Sequence, residues 1–407
     1  MLTIDEALTA VLERAVALPP RSIPVNQAFG LVLAEDIVAD MDQPPFTKSL
    51  VDGFAVRSSD LADGNTRLTV GEEIVAGKTP TRPLATLEAA VIMTGAPLPP
   101  EADAVVMVEK TRRDGNFVAI EDAKVTKGQG VLPRGREMKE DDVVLTRGRR
   151  LNAPALGLVA AVGRSEVRVH PRPKVAVVTT GDELVDPSQK PGPGQIRNSN
   201  ATLLRALATN ECAVVEVYPN APDEIEALKE TLTAGLASDV LVITGGVSAG
   251  NRDLVPEALQ SLGVKRVFHK IRLKPGKPLW FGVGPKRTNG LPGSLVFGLP
   301  GNPVSGIVGF LLFVRPALRR LADRKHVMES LVTGRLRRAF RHRGDRPTYY
   351  PAISIPTSDP ALLQIELLDW GGSADLRTVA WADGFAIFPE GDRDYEAGEI
   401  VGFLPLD

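Results

Sequence analysis

The sequence predicts a multidomain chain of α/β plus β class. Three observations carry that reading. The 407 residues exceed what one ordinary core encloses and suggest two to four domains. From residue 174 onward, apolar β-branched runs alternate with helical patterns, the β-α-β-α-β order of a parallel sheet with right-handed crossovers. Two other stretches, 66–145 and 330 to the end, show only short strand-like runs broken by glycines.

Taken in order, residues 3–17 have helical spacing. Ile4, Leu8, Val11, Leu12 and Ala15 share a face, Thr3 with Glu6 forms a capping box, and Pro19-Pro20 stops the helix. Residues 23–40 read as short strands around a turn at Gly30, and a Pro-rich loop follows from Gln43 to Val56. The stretch 66–145, punctuated by Gly71, Gly77, Gly95, Gly115 and Gly128, reads as an inserted β domain with no helix of useful length. Helical pattern resumes over 154–163 and stops at Gly163. Strands at Val175–Val178, Ala213–Tyr218 and Val240–Ile243 then alternate with helices at Asn200–Ala208, Asp223–Leu236 and Leu254–Leu262. An apolar helix reaching about Leu321 closes this region, and the turns after 330 mark a small C-terminal barrel or sandwich. The predicted boundaries are 1–42 with 140–171 for a discontinuous N-terminal mixed domain, 43–139 for the insert, 172–325 for the α/β domain and 326–407 for the last domain.

Composition excludes several function classes. Forty-eight basic against fifty acidic side chains leave a net charge of -2, which favours neither nucleic acid nor an anionic membrane. The basic run Arg335, Arg337, Arg338, Arg341, Arg343 is a local exception and reads as a solvated face. Cys212 is the one cysteine, so an internal disulfide or a cysteine metal cluster is impossible. Four histidines without a His-x-x-x-His pair disfavour zinc. The longest apolar run, Val304 to Val314, is too short to span a bilayer, and the acidic start lacks a signal-peptide pattern, so a cytoplasmic location is expected.

Two strand ends in the α/β region carry chemistry. One reads Thr179-Thr-Gly-Asp-Glu-Leu184; the other reads Thr244-Gly-Gly-Val-Ser248 and leads to Asp253. Both are expected on the same sheet edge, outside the carboxyl ends of the strands, where ligands bind. Backbone N–H groups and hydroxyls at such turns make an oxyanion nest. Glu183 and Asp253 beside it are candidate ligands for a divalent cation such as Mg²⁺ bridging protein and phosphate. The alternative is that Asp182 or Glu183 caps the next helix.

Lys270-Ile-Arg-Leu-Lys-Pro-Gly-Lys-Pro278 is a second feature. Strand alternation puts Lys270, Arg272 and Lys274 on one face, and Pro275-Gly276 re-aims Lys277, as an anion site or as a solvated basic strand. Leu299-Pro-Gly-Asn-Pro303 is a tight turn before a helix, with Ser305 in the first turn. Asp52-Gly53 is a turn dipeptide.

These motifs, with Ser49-Leu-Val-Asp-Gly-Phe-Ala-Val56, Met93-Thr-Gly-Ala-Pro97, Ala102-Asp-Ala-Val-Val106 with Glu109, Gln195 to Asn200, and Gly372-Ser373, follow one another along nearly the whole chain. In order and spacing the chain resembles the molybdopterin molybdotransferase family (MoeA, related to the E domain of gephyrin). The resemblance implies an elongated homodimer with a molybdopterin-binding-like three-layer α/β domain, an inserted β domain and a C-terminal β-barrel. The implied reaction inserts molybdenum from molybdate into adenylyl-molybdopterin and releases AMP, with Mg²⁺. A non-catalytic molybdopterin-binding scaffold and a tungsten-inserting homologue are the alternatives. The adenylyltransferase of the same pathway is an implied partner.

The resemblance also implies residue roles. Asp52, Thr94, Glu137, Glu183, Asp253, Lys270 and Lys274 are the implied catalytic set, the first three partly reaching the site across the dimer, and Glu183 and Asp253 the metal ligands. Thr180, Gly181, Asp182 and Asn200, then Gly245, Gly246, Val247 and Ser248, and Lys277 are implied to bind the pterin nucleotide. Ser305, Arg346 and Ser373 are assigned to the molybdate pocket, shaped by Pro300 and Pro303. The chain departs from the family pattern at Gly135-Arg136-Glu137, where Arg136 replaces an acid, at Leu132, at Asn251, and at Pro222 or Asp223 for a family aspartate.

Overall fold

The computed structural model describes residues 1–61, 67–122, 124–247, 254–287, 290–357 and 363–406. Ser248 and Asp253, and the departure at Asn251, lie outside the described residues.

A six-stranded sheet forms the centre. Its strands are β1 (Lys174–Thr179), β2 (Val214–Val217), β3 (Val240–Thr244), β4 (Lys265–His269), β5 (Trp280–Val283) and β6 (Leu295–Leu299), in the order β2-β1-β3-β6-β5-β4. β2, β1, β3 and β6 are parallel, as expected from the alternating pattern. β5 runs antiparallel to β6 and to β4, so the sheet is mixed and not wholly parallel. The reason is local: the link 270–279 between β4 and β5 carries no helix, and parallel neighbours need a longer crossover.

Alternation along the parallel strands builds two cores. Val175, Val177, Val240 and Val242 face one; Ala176, Val178, Leu241 and Ile243 face the other. The first core takes α1 (Ile4–Leu12), α3 (Ser199–Asn210), α6 (Pro303–Gly309) and α7 (Arg315–Leu321). The second takes α4 (Ile225–Gly235) and α5 (Val255–Ser261). The result is three layers, with every residue of β3 and β6 buried. The capping box is present at Thr3 and Glu6, but α1 stops at Leu12. Past it the chain extends so that Ala15 and Leu18 still reach the core, with the Leu18 N–H donating to the Leu321 carbonyl at 2.8 Å. A π turn, Phe310–Val314, joins α6 to α7 just before Pro316. Proline has no N–H and crowds the carbonyl one turn back; the wider turn accommodates both.

The insert forms a six-stranded sheet in the order Ala104–Met107, Gly53–Val56, Glu88–Ile92, Arg67–Ile74, Phe117–Ile120, Thr111–Asp114. Near the N-terminus, α2 (Ala153–Ala161) packs over short strands through Leu33, Ile37 and Val159. The C-terminal strands Val332–Leu336, Leu363–Leu367, Thr348–Ile355, Gly384–Phe388 and Ile400–Pro405 close into a barrel, which decides between barrel and sandwich. Buried Arg315 ties α7 to the barrel by donating to the carbonyls of Pro405 and Leu406. Among the described residues no helix is long and apolar enough to cross a membrane.

Candidate active site

The two Thr-Gly strand ends are neighbours. β1 and β3 pair in register from Val175↔Val240 to Thr179↔Thr244, and the Thr180 N–H donates to the Thr244 carbonyl at 3.0 Å. Gly245 has φ +97, and a Cβ there would stand 2.3 Å from the Thr180 carbonyl oxygen. At Gly246 (φ +59) a Cβ would meet Val255 at 2.8 Å and the Thr180 hydroxyl at 3.0 Å. The glycines are therefore required by the neighbouring turn before any ligand is considered. The turn leads to buried Val247, whose carbonyl accepts from His269 Nε2 at 3.1 Å.

A cavity of about 600 Å³ opens above these ends. Thr180, Glu183, Asn200, Gly245, Gly246 and Val247 line it on the sheet side, and Pro300 and Pro303 on the other. Asn200 fixes that second wall: its Nδ2 donates to the Thr244 hydroxyl at 3.0 Å and to the Gly301 carbonyl at 2.7 Å. Its Oδ1 is shielded and takes no hydrogen bond from the described residues. Gly181 and Asp182 lie in the turn behind the wall and do not line the cavity. The Glu183 carboxylate folds over Gly181, where a Cβ would meet it at 2.6 Å.

Helix capping by Asp182 or Glu183 does not occur. The next residues pair as two-residue strands, Leu184–Val185 with Ile196–Arg197, and α3 is capped instead by Asn198, which accepts from the Ala201 N–H at 3.2 Å. Asp182 accepts from the Asp223 N–H at 3.1 Å, and Asp223 accepts from the Thr180 hydroxyl at 3.3 Å. Asp223 is thus bonded to the Thr180–Asp182 turn and does not line the cavity. Burial of its carboxyl, then the charges of Asp182 and Glu183, push Asp223 above the usual carboxylate range. Of these three carboxylates Glu183 alone lines the cavity, which Arg197 lines as well. No group of three or more His, Cys, Asp or Glu among the described residues could hold a metal ion unaided.

A second cavity of about 670 Å³ lies across the Pro300–Pro303 turn, between the α/β domain and the barrel. Lys274, Lys277, Ser305, Arg346 and Ser373 line it, with Pro300 and Asn302 shared by both cavities. Arg341 and Arg343 line it as well. These two read as part of a solvated face, and they are exposed, with side chains 75% and 44% accessible, while also edging this cavity. Five cationic side chains, Lys274, Lys277, Arg341, Arg343 and Arg346, therefore line a space that no described Asp or Glu lines. A basic strand, Phe340–His342, running straight into Gly344-Asp345-Arg346 was the available signal in the sequence.

The basic loop is not a strand, which corrects the alternation expected for Lys270, Arg272 and Lys274. Lys270 has φ +70 and lines neither cavity, and Arg272 turns out to pair with Glu390 at 2.6 Å. What holds Lys274 is the barrel. Its N–H donates to the Pro347 carbonyl at 2.9 Å, its carbonyl accepts from the Tyr349 N–H at 2.8 Å, and Arg346 Nη1 donates to the Leu273 carbonyl at 3.2 Å. His342 is buried between the Gly391 carbonyl and the Thr348 hydroxyl, both at 2.9 Å, and stacks on Phe388.

The insert residues are grouped elsewhere. Thr94 donates to Asp52 Oδ1 from its hydroxyl at 2.7 Å and its N–H at 2.6 Å, which holds the Asp52 carboxyl below the usual range. Glu137 is exposed, its N–H donating to the Gln43 carbonyl at 2.9 Å. None of the three lines either cavity.

Comparison with known proteins matches this plan region by region. Residues 2–163 match the MoeA N-terminal region (domain I and II), 176–320 a probable molybdopterin binding domain, and 333–406 the MoeA C-terminal region (domain IV). Fold and site thus define a transferase class of molybdenum cofactor biosynthesis, built on a molybdopterin-binding α/β domain. The molybdopterin molybdenumtransferases of Staphylococcus aureus (strain COL) and Staphylococcus epidermidis (strain ATCC 12228) are 31% and 32% identical, each over 99% of this chain and 95% of the relative. The chain belongs to the molybdopterin molybdenumtransferase family. A crystal structure of the molybdopterin biosynthesis MoeA protein from Pyrococcus horikoshii superposes with a TM-score of 0.82 at 30% identity, covering 100% of this chain and 99% of that one.

Proposed function

We propose that the protein inserts molybdenum from molybdate into adenylyl-molybdopterin, releasing AMP and forming molybdenum cofactor. One observation carries this reading: two cavities of different character share the wall built by Pro300 and Asn302. The first offers main-chain turns, hydroxyls and the Glu183 carboxylate to a pterin phosphoanhydride. The second offers Lys274, Lys277, Arg346 and Ser373 to an oxyanion.

Mg²⁺ fits the first cavity in a specific sense. Glu183 lines it, Asp182 and Asp223 stand behind its wall, and no group of carboxylates among the described residues could hold an ion unaided. Mg²⁺ is commonly held by one or two carboxylates, water and substrate phosphate. Glu183 and Asp253 would hold it, and it would supply polarisation of the phosphoanhydride. Asp52, Thr94 and Glu137 lie outside both cavities of their own chain, so the proposal has a second copy in a homodimer deliver them. Lys270, also outside both, is the member of the proposed catalytic set with least support from geometry.

The test is direct. Purified protein supplied with adenylyl-molybdopterin, molybdate and Mg²⁺ should release AMP and activate a molybdenum-free apoenzyme. Pterin binding without AMP release would replace this reading with that of a scaffold. Competition between tungstate and molybdate in the same assay assigns the oxyanion.

A further inference from the structure

Asn302 occupies the N-cap of α6, where asparagine ordinarily accepts a hydrogen bond from its own helix. It makes no such bond. Its Nδ2 instead donates to the Ser373 hydroxyl at 2.9 Å, and the Val304 N–H of the same helix donates to the Ser373 carbonyl at 3.1 Å. A residue on the barrel side therefore supplies the cap, and the Asn302 side chain is released for a cross-domain bond. The turn it belongs to is fixed from below by Asn200 on the Gly301 carbonyl and by the Thr244 hydroxyl on the Pro300 carbonyl at 3.2 Å. A chain of bonds thus runs from the end of β3 through Asn200 and Asn302 to Ser373.

The polarity of that chain matters. A serine hydroxyl has one proton. Accepting from the Asn302 amide leaves the Ser373 proton free to be donated, and Ser373 lines the basic cavity. An oxyanion is an acceptor only, so it gains a donor there if the hydroxyl is turned this way. We infer that Asn302 is a positioning residue that sets the Ser373 hydroxyl as a donor to the oxyanion, and so makes oxyanion affinity depend on the docking of the barrel loop at Ser373 onto the Pro300–Pro303 turn. This rests on the reading of the second cavity as an oxyanion site.

Replacing Asn302 by Asp tests it. Aspartate keeps the size and suits the N-cap. It cannot donate, so it draws the Ser373 proton to itself and away from the cavity. Molybdate binding by the intact protein, measured by titration calorimetry, should weaken about tenfold in Asn302→Asp and about tenfold in Ser373→Ala, the usual worth of one hydrogen bond to a charged group. In Asn302→Ala, which adds no charge, the loss should be of the same order. Asn302→Ala combined with Ser373→Ala should lose little beyond Ser373→Ala, because both act through one hydroxyl. In turnover, Ser373→Ala should raise KM for molybdate while KM for adenylyl-molybdopterin stays put, since Ser373 lines the second cavity and not the first. Unaltered molybdate affinity in Asn302→Asp and Asn302→Ala, or losses that multiply fully in the double variant, would overturn the inference alone. Absence of molybdate binding by the unaltered protein would overturn the functional reading and this inference together. Circular dichroism separates either result from failure to fold; should Asn302→Asp not fold, the Asn302→Ala pair decides.

Discussion

The two cavities are divided by a single turn, yet they arise differently. The first is built by residues at the ends of two adjacent strands, Thr180 and Glu183 with Thr244 to Val247. The second gathers Lys274 and Lys277 from the α/β domain, Arg341, Arg343 and Arg346 from the start of the barrel, and Ser373 from a later loop. One is a local motif lined by one acid and one base, Glu183 and Arg197; the other is a tertiary assembly lined by cations. The difference teaches that damage to the first should act through the backbone, and damage to the second through charge and docking.

The largest effect should come from the backbone of the first cavity. Gly245→Val puts a side chain against the Thr180 carbonyl in a left-handed conformation, and should cost about 2 kcal/mol or more of stability and abolish AMP release. Urea unfolding and a turnover assay measure both; wild-type stability would show that the turn relaxes freely. Next, Lys274→Ala should raise KM for molybdate by about tenfold to a hundredfold, the range of a charge-assisted bond, with folding intact. An equal rise in KM for the pterin nucleotide would erase the division of labour between the cavities.

A smaller effect follows from Asp223. Its carboxyl titrates above the usual range, so over that window the folded chain holds more protons than the unfolded chain. Stability contributed by this group therefore falls as pH rises through the window. Asp223→Asn should match the parent in acid and gain stability relative to it above the window, a modest gain because the residue is exposed. Melting temperatures followed from about pH 3 to about pH 7 check the sign; parallel profiles would remove the like-charge account. Smallest of all, Asp394 pairs with Arg343 at 2.6 Å and Arg341 at 3.4 Å. Asp394→Asn should tighten molybdate binding by about threefold at low salt, and the gain should fade as salt is added. Weaker binding would mean that Asp394 is needed to aim the arginines.

Much of the α/β domain was legible. β1, β3 and their Thr-Gly ends could be read because buried parallel strands are continuous apolar runs and the turns need glycine. The antiparallel return through β5 was not, since Lys270 to Pro278 alternates like a strand and only its positive φ at Lys270 and its bonds to Pro347 and Tyr349 make it a loop. Asp223 was ambiguous with its neighbour until the Thr180 hydroxyl singled it out. Arg341 and Arg343 looked like solvated charge because nothing adjacent in sequence neutralises or encloses them.

By itself, then, the sequence determined the family and the strand ends of the first cavity, since propensity, periodicity and turn chemistry act over a few residues. Tertiary structure alone decided the second cavity. Its cations lie some 70 residues apart, from Lys274 to Arg346, and only main-chain bonds between the basic loop and the barrel bring them to one space. Like charges do not gather spontaneously; the packing of two folded domains has to hold them there, ready for an anion.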